Sequence, residues 1–189
     1  MIESLKQLDR DIFIYLNSIG VEKYDGFWVF ITQVINWIPL VILFFILIVH
    51  YYKRREAQTV IIFLLIVVAL TVSITGLVKG WVGRLRPGEV EAMADLIRVL
   101  QKPSRSSFFS GHASYSFAIT TYVVLSLKRY TKWIYLSFIW PILFVMSRIY
   151  VGVHYPSDLV VGTFVGILIA FIGYRQSQAF LQRPSAHKS

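Results

Sequence analysis

Residues 57–78 read AQTVIIFLLIVVALTVSITGLV, a run dominated by Ile, Val and Leu. A helix needs about 20 such residues to cross a bilayer, so the run predicts a transmembrane helix. It ends at Lys79, and the segment that follows, KGWVGRLRP, adds Arg84 and Arg86. Fixed charge at the end of an apolar span is costly and usually marks function. The sequence therefore places candidate chemistry at one end of a membrane helix.

The composition of the whole chain indicates a membrane protein. Of 189 residues, 56% are hydrophobic and 16% are aromatic, and the mean hydropathy of +0.62 is far too high for a soluble domain. The length fits a single domain, 1–189. Because the chain has no cysteine, disulfides and thiolate metal sites are excluded. The polar, acidic start predicts no cleavable signal peptide.

Four further apolar stretches complete a predicted bundle. They cover residues 27–49, 113–127, 133–146 and 159–174. The second and third are short, and they reach the length of a span only if residues 110–112 and 147–150 also enter the membrane. Polar groups at those ends then line a site instead of facing lipid. The predicted fold is an all-α polytopic membrane helix bundle with five transmembrane helices.

Two segments outside the spans show helical periodicity. Residues 1–20 predict an amphipathic helix on the membrane surface, with a helix packed against the bundle as the alternative. The loop at 88–105 predicts a short interfacial helix over the mouth of the site, with a plain connecting loop as the alternative. The recurring apolar positions are Ile2, Leu5, Leu8, Ile12, Leu16 and Ile19 in the first segment, and Val90, Met93, Ile97 and Leu100 in the second.

The distribution of basic residues predicts an orientation. The segments 50–56, 128–132 and 175–189 are rich in Lys and Arg and contain one acid. Short loops of this kind stay in the cytoplasm, so 175–189 is predicted to be a cytoplasmic tail of a multi-pass inner (plasma) membrane protein. Lys79, His112 and His154 then share the extracytoplasmic face. A nucleic-acid partner, which a pI of about 9.9 would suggest, is not expected, because no basic face exists outside the loops.

Two polar clusters suit a phosphate ligand. Lys79 and Arg86 offer a point charge and a planar fork, although cations at a span end often only extend towards lipid head groups. In the second cluster Ser110 can cap the following helix, and Gly111 lets a ligand approach the backbone. The free amides at that helix start bind anions. Taken alone, His112 beside them could equally be structural.

The third cluster runs from Ser147 to Asp158 and contains Arg148 and His154. Pro156 suits the first turn of the last span, where a negative Asp158 is favoured and can reach back to His154. A carboxylate on one imidazole nitrogen fixes the tautomer and leaves the other nitrogen as a nucleophile or base. The same pair could also be a structural hydrogen bond.

Together the three clusters resemble the signature of the type 2 phosphatidic acid phosphatase family of integral membrane lipid phosphatases. The family pattern is a Lys, six residues and Arg-Pro; then Pro-Ser-Gly-His; then Ser-Arg, five residues, His, three residues and Asp. This chain matches the order and spacings from Lys79 to Asp158, with Phe109 in place of the Pro before Ser110. Many members have six spans, and here the N-terminal amphipathic segment stands in for the first.

The resemblance implies a role for each matched residue in a reaction that needs no metal or other cofactor. His154 would attack phosphorus and form a phosphohistidine, Asp158 would orient it, and His112 would protonate the leaving oxygen. Fixed cations and helix-start amides would stabilise the transition-state charge, as a metal does elsewhere. These phosphate-binding groups are Lys79, Arg86, Arg148, Ser110 and Gly111, and Arg84 is an additional candidate for substrate contact.

The sequence thus predicts a phosphatase acting on a membrane lipid phosphate monoester or pyrophosphate at the outer leaflet. Family substrates include undecaprenyl pyrophosphate, phosphatidylglycerophosphate, phosphatidic acid and lipid A phosphates. Undecaprenyl pyrophosphate is favoured because a compact chain suits recycling of envelope lipids. The alternative is a non-catalytic protein that binds or transports lipid phosphates, and the intact His112, His154 and Asp158 argue against it.

The predicted orientation can be tested by labelling single cysteines, because the chain has none of its own. In intact cells an impermeant thiol reagent should label Asp95→Cys in the outer loop and should spare Ser185→Cys in the tail. Labelling of position 185 with protection of position 95 would reverse the orientation.

Overall fold

The computed structural model describes residues 2–102 and 106–182. All of the regular secondary structure in these ranges is helical. The predicted all-α membrane bundle is confirmed, and no strand occurs within these two ranges. Arg183 and Lys188 of the predicted tail, and the end of the loop at 88–105, lie outside the described residues. The α-helices are α1 (Ile2–Ser18), α2 (Asp25–Ile31), α3 (Ile38–Tyr51), α4 (Arg54–Val82), α5 (Gly111–Leu127), α6 (Ile139–Tyr150) and α7 (Pro156–Leu181).

Short 3-10 helices connect several of these elements. They cover Glu22–Tyr24, Val34–Trp37, Pro87–Glu89, Glu91–Met93 and Lys132–Phe138. The last of them leads directly into α6. The final helix, α7, continues to Leu181, so the first part of the predicted tail is helical.

The central helix is α5, and α4, α6 and α7 pack around it. Most of its side chains are buried, and the Tyr122 hydroxyl donates to the carbonyl of Val60 in α4 at 2.9 Å. The outer faces of the surrounding helices are apolar and exposed, as with Leu77 and Phe164. An apolar exterior around a packed interior is what a bilayer requires of a helix bundle.

Among the described residues, four helical stretches are long and apolar enough to cross a membrane. They are Val34–Tyr51, Arg54–Met93, Lys132–Tyr150 and Pro156–Leu181. Helix α5 has 17 residues and falls just short by length, as its sequence suggested. The count of five spans therefore stays a prediction.

The first predicted span, 27–49, is not one continuous helix. Helix α2 ends at Ile31, Gln33 is extended, and α3 begins only at Ile38, with Pro39 in its first turn. Proline cannot donate a backbone hydrogen bond, which makes it suited to a helix start and not to a helix interior. Side chains satisfy carbonyls left free at the break, because Trp37 Nε1 donates to Ile31 O at 2.7 Å. The break brings Thr32 to the interior of the bundle.

Helix α1 packs against the bundle through one face. Phe13 and Asn17 are fully buried there, and Asn17 Nδ2 donates to Ile149 O at 2.9 Å. This confirms the packed alternative. The predicted apolar stripe faces away from the protein, since Leu5 and Leu8 are exposed. Contact of that stripe with the membrane surface stays a prediction.

The loop at 88–105 differs from the predicted interfacial helix. Its two 3-10 turns, Pro87–Glu89 and Glu91–Met93, replace a continuous helix. Met93 is buried against Phe13 and Tyr155, so the apolar residues of this loop serve to dock α1. That inward packing explains the helical spacing seen in the sequence.

Gly162 and Gly166 let α7 approach α5 closely, and neither position should tolerate a side chain. A Cβ on Gly166 would meet Ser114 O and lie 3.1 Å from Ala118 N, both backbone atoms of α5. Gly166→Ala should therefore lower the thermal unfolding temperature, because overpacking costs about 1–3 kcal/mol. Gly76→Ala in α4 is the matched control, since nothing lies within 4 Å of that position. Equal melting temperatures in detergent for the two variants would contradict this account of the α5–α7 contact.

Candidate active site

The three sequence clusters meet at one end of the bundle. Lys79 lies in the last turn of α4, which ends at Gly83 in a left-handed conformation (φ 59°). Glycine adopts that conformation without strain, and the turn sends Arg84 and Arg86 back over the helix ends. Three other helix ends complete the site: Arg148 lies in the last turn of α6, and the remaining groups flank the starts of α5 and α7.

His154 and Asp158 form the centre of the site. His154 lies in the loop between α6 and α7, and its Nδ1 is 3.4 Å from Asp158 Oδ2. The same carboxylate oxygen accepts hydrogen bonds from Tyr155 N at 3.0 Å and from the Ser107 hydroxyl. An acceptor at Nδ1 places the ring proton there, so Nε2 carries the lone pair.

The surroundings of His154 favour its neutral form. Burial, reinforced by the positive charge of Arg148 and then of Arg86, holds the pKa of His154 well below its usual value. The imidazole is therefore neutral at pH 7. Its Nε2 lies 3.3 Å from Arg86 Nη1, so a phosphate bound to Arg86 would sit beside the attacking nitrogen.

Three cations of the matched motifs, Lys79, Arg86 and Arg148, lie close enough to His154 to lower its pKa. Arg86 Nη1 donates to Val153 O at 2.8 Å, and Lys79 Nζ donates to Ser106 O at 2.7 Å and Ser107 O at 2.9 Å. These carbonyl bonds hold both side chains towards the site.

Arg148 carries an unsatisfied donor into the same space. Its Nη1 donates to the Thr32 hydroxyl and to Gln101 Oε1 at 3.3 Å. The residue is 3% exposed, and its Nε has no partner among the described residues. Buried donors are almost always satisfied, and a guanidinium nitrogen without a protein partner is well suited to bind an anion.

The start of α5 adds amide donors. Ser110 caps the helix, its Oγ accepting from Ala113 N at 3.4 Å, which confirms the predicted cap. Ser110 N donates to Asp158 O at 3.0 Å, which fixes this helix start against the catalytic loop. A Cβ on Gly111 would collide with the Tyr115 hydroxyl, so a side chain at this position would force the Tyr115 ring to move. The first amides of a helix lack intrahelical partners and bind anions.

His112 occupies the first turn of α5. Its ring packs 4.9 Å from the ring of Phe144, one turn before Arg148 on α6. All eight residues singled out by the sequence thus lie around one site. The described residues contain no group of three His, Cys, Asp or Glu side chains able to hold a metal ion.

Sequence reasoning missed several residues that complete the site. Ser107 bonds to Asp158, Thr32 and Gln101 hold Arg148, and Asp9 reaches the site from α1. Ser107 could have been suspected from its place beside the Ser-Gly-His motif. The others gave no signal, because their partners lie far away along the chain.

Arg84 has a different place from the one expected. Its Nη1 donates to Asp158 Oδ1 at 2.7 Å, and its Nη2 donates to Asp9 Oδ2 at 2.7 Å. The guanidinium joins two carboxylates behind the site, so the structure does not support the expected substrate contact.

Helix ends, buried cations and a histidine paired with a carboxylate thus meet at one end of the helix bundle. The sequence profile of the PAP2 superfamily matches residues 60–182, well over half of the chain, and the chain belongs to that superfamily. This confirms the resemblance drawn from the three motifs. The protein is a PAP2-type membrane lipid phosphatase.

Individual relatives act on several lipids. The chain is 27% identical over 175 residues to a lipid A 4'-phosphatase of Bacteroides thetaiotaomicron, covering 88% of this chain and 75% of that protein. It is 39% identical over 72 residues to an undecaprenyl-diphosphatase of Sulfolobus acidocaldarius, covering 38% of this chain and 34% of that protein.

Solved structures share the fold. A PAP2-type phosphatidylglycerolphosphate phosphatase from Bacillus subtilis superposes with a TM-score of 0.72 at 19% identity, covering 98% of this chain and 90% of that one. LpxE from Aquifex aeolicus superposes with a TM-score of 0.63 at 24% identity, covering 87% of this chain and 93% of that one.

Proposed function

We propose that this phosphatase hydrolyses a lipid phosphate at the outer leaflet through a phosphohistidine on His154. The observation that carries the proposal is the environment of His154 Nε2. This nitrogen is neutral, backed by Asp158 at Nδ1, and 3.3 Å from the Arg86 guanidinium. A nucleophile in that position needs only a phosphate placed in line with it.

In the first step the phosphate binds among Lys79, Arg86, Arg148 and the first amides of α5. His154 Nε2 attacks phosphorus, the N–P bond forms, and the bond from phosphorus to the lipid oxygen breaks. His112 donates its proton to that leaving oxygen. Asp158 stabilises the positive charge that develops on the His154 ring.

In the second step water releases the phosphate. His112, now neutral, takes a proton from the water as its oxygen attacks phosphorus. The N–P bond breaks, His154 returns to its neutral form, and inorganic phosphate leaves. Both steps pass through a transition state whose negative charge faces the three cations, which are already in place before reaction.

The same cations support a metal-independent reaction. In metal-dependent phosphoryl transfer the ion neutralises charge on the phosphoryl oxygens. Here Lys79, Arg86 and Arg148 supply that charge from three different elements.

The substrate we propose is a phosphate ester of an envelope lipid of the lipid A 4'-phosphate type. The similarity to lipid A 4'-phosphatases extends over 88% of this chain. Undecaprenyl pyrophosphate, favoured by the sequence alone, is the second candidate, supported by the 39% identity of a shorter segment. An apolar crevice of about 280 Å³ between α3, α5 and α6 is lined in part by Phe144, whose ring packs against that of His112, and it offers space for hydrocarbon. Its walls include Trp37, Val41, Ile119, Trp140 and Phe144.

The effects of replacing the two histidines on the rate should differ when the leaving group is changed. His154→Ala should abolish turnover and the phosphoenzyme on every substrate. His112→Ala should lose about 10²–10⁴-fold on a lipid phosphate, whose alkoxide needs a proton, and much less on nitrophenyl phosphate. Asp158→Asn should fall between the two, because the attacking nitrogen remains. Rates with both substrates and trapping of the phosphoenzyme measure this.

His50→Ala is the matched control, since that histidine is exposed at the far end of α3 and should change neither rate. Equal losses on both substrates in His112→Ala would remove its role as the acid. A phosphoenzyme that persists in His154→Ala would refute the proposed nucleophile. Binding of lipid phosphate without turnover in the wild-type protein would favour the binding and transport alternative.

Phosphate release should continue in excess EDTA, and vanadate should inhibit it as a mimic of pentacoordinate phosphorus. The purified protein is assayed on lipid A, undecaprenyl pyrophosphate, phosphatidylglycerophosphate and phosphatidic acid, and lipid A is expected to be the best substrate. Loss of turnover in EDTA that one divalent ion restores would overturn metal independence. A faster rate on undecaprenyl pyrophosphate would replace the proposed substrate with the second candidate.

A further inference from the structure

Helix α1 sends one carboxylate into the bundle behind the catalytic pair. Asp9 Oδ1 accepts from Ser157 N at 2.8 Å, and Asp9 Oδ2 accepts from the Ser157 hydroxyl at 2.5 Å and from Arg84 Nη2 at 2.7 Å. The side chain is 12% exposed. Two of these bonds join the N-terminal helix to Ser157 in the first turn of α7, and the third joins it to Arg84 after α4.

The Arg84 guanidinium lies between Asp9 and Asp158. Its Nη1 donates to Asp158 Oδ1 and to Ser157 Oγ, and its Cζ lies 4.0 Å from the centroid of the Tyr155 ring. Charge-assisted bonds at both terminal nitrogens fix the guanidinium in one orientation.

We propose that Asp9 is a positioning residue that holds Arg84 against Asp158 and thereby orients His154. The inference rests on the proposed function, because it gives Asp158 and His154 their catalytic roles. Asp9 touches neither the substrate nor the reacting nitrogen. It acts through one guanidinium.

The geometry of Asp158 explains why the contact from Asp9 through Arg84 to Asp158, called the brace below, matters for His154. Oδ2 faces His154, and Oδ1 bonds to Arg84. Without a partner at Oδ1 the carboxylate of Asp158 can rotate, and Oδ2 then moves away from His154 Nδ1. Without Asp9 the guanidinium keeps only its contacts on one side and can swing away. Small displacements of a catalytic group cost up to about 100-fold in rate.

The brace exists only when α1 is docked. Phe13 and Asn17 anchor the helix on the bundle, and Asn17 Oδ1 accepts from Arg98 N at 2.7 Å. The outward stripe of α1, with Leu5 and Leu8, is exposed and apolar. One helix therefore carries a surface suited to lipid on one side and the brace for the catalytic pair on the other.

Two carboxylates on α1 provide a matched pair of variants. Asp9→Asn removes the brace, whereas Asp11→Asn removes the same charge from an exposed residue whose described partner is Gln7. With dioctanoyl phosphatidic acid in detergent, Asp9→Asn should lower kcat by about 10–100-fold with little change in KM. Asp11→Asn should match the wild-type protein, and Asp9→Glu should recover most of the rate because it keeps the carboxylate.

A double variant tests whether Asp9 acts through Arg84. In the Arg84→Gln background the further change Asp9→Asn should cost almost nothing, because residues that share one interaction are not additive. A full additional loss would show an independent effect and would overturn the inference.

The pH profile separates positioning from general damage. The low-pH limb of kcat/KM reports protonation of His154. Arg84→Gln removes a positive charge that lowers the pKa of His154, so the limb should move to higher pH. Asp9→Asn removes a negative charge, so it should move to lower pH. The charged and titratable groups that face His154 are Lys79, Arg84, Arg86, His112, Arg148 and Asp158.

The possible outcomes distinguish the two proposals. If Asp9→Asn and Asp11→Asn share the same kcat and the same limb, the inference fails and the function of His154 is untouched. If the wild-type protein and Asp11→Asn release no phosphate from any of the four lipids, the proposed function itself fails. If Asp9→Asn does not fold, the limb shift and kcat of Arg84→Gln and Asp9→Glu decide, and wild-type values in Arg84→Gln overturn the brace.

Discussion

Fixed positive charge enclosed by apolar helices is the constraint on which the rest of this structure depends. Arg148 is 3% exposed and Arg86 is 6% exposed, and neither can leave its charge unsolvated inside the bundle. The fold meets this requirement with groups from interrupted helices. Thr32 comes from the break after α2, and Val153 O comes from the loop after α6. These neutral oxygens solvate the two guanidinium groups without cancelling their positive charge, which favours the binding of an anion.

Close packing of α5 and α7 turns that charge into a site. Gly162 and Gly166 bring the backbones together, and Ser110 N then reaches Asp158 O at 3.0 Å. The start of α5 is thereby tied to the start of α7, where Asp158 lies beside His154. Small residues at a helix interface serve the same purpose throughout membrane proteins. In this protein a wider spacing of α5 and α7 would also separate the first amides of α5 from His154.

The sequence predicted the parts of the fold and site that depend on local spacing. The apolar runs, the Ser110 cap, and the pairing of His154 with Asp158 four residues later all follow from neighbours in the chain. The break between α2 and α3 did not, because a polar Thr32 within an apolar run shows no sign of its partner Arg148, which is 116 residues away. Arg84 was an additional candidate for substrate contact, because the sequence shows no sign of its partner Asp9, which is 75 residues distant.

The N-terminal helix shows how far periodicity alone can go. Asp9 and Asp11 are two positions apart, which places them about 200° apart around an α-helix. An amphipathic pattern assigns both to a polar side, yet one carboxylate bonds to Arg84 inside the bundle and the other remains exposed. The apolar stripe that defined the pattern faces away from the bundle, so the inner face of α1 is the one that the pattern did not describe. That inner face holds Asp9, Phe13 and Asn17. Phe13 and Asn17 pack the helix on the edge of the bundle, and Asp9 reaches Arg84 beside Asp158.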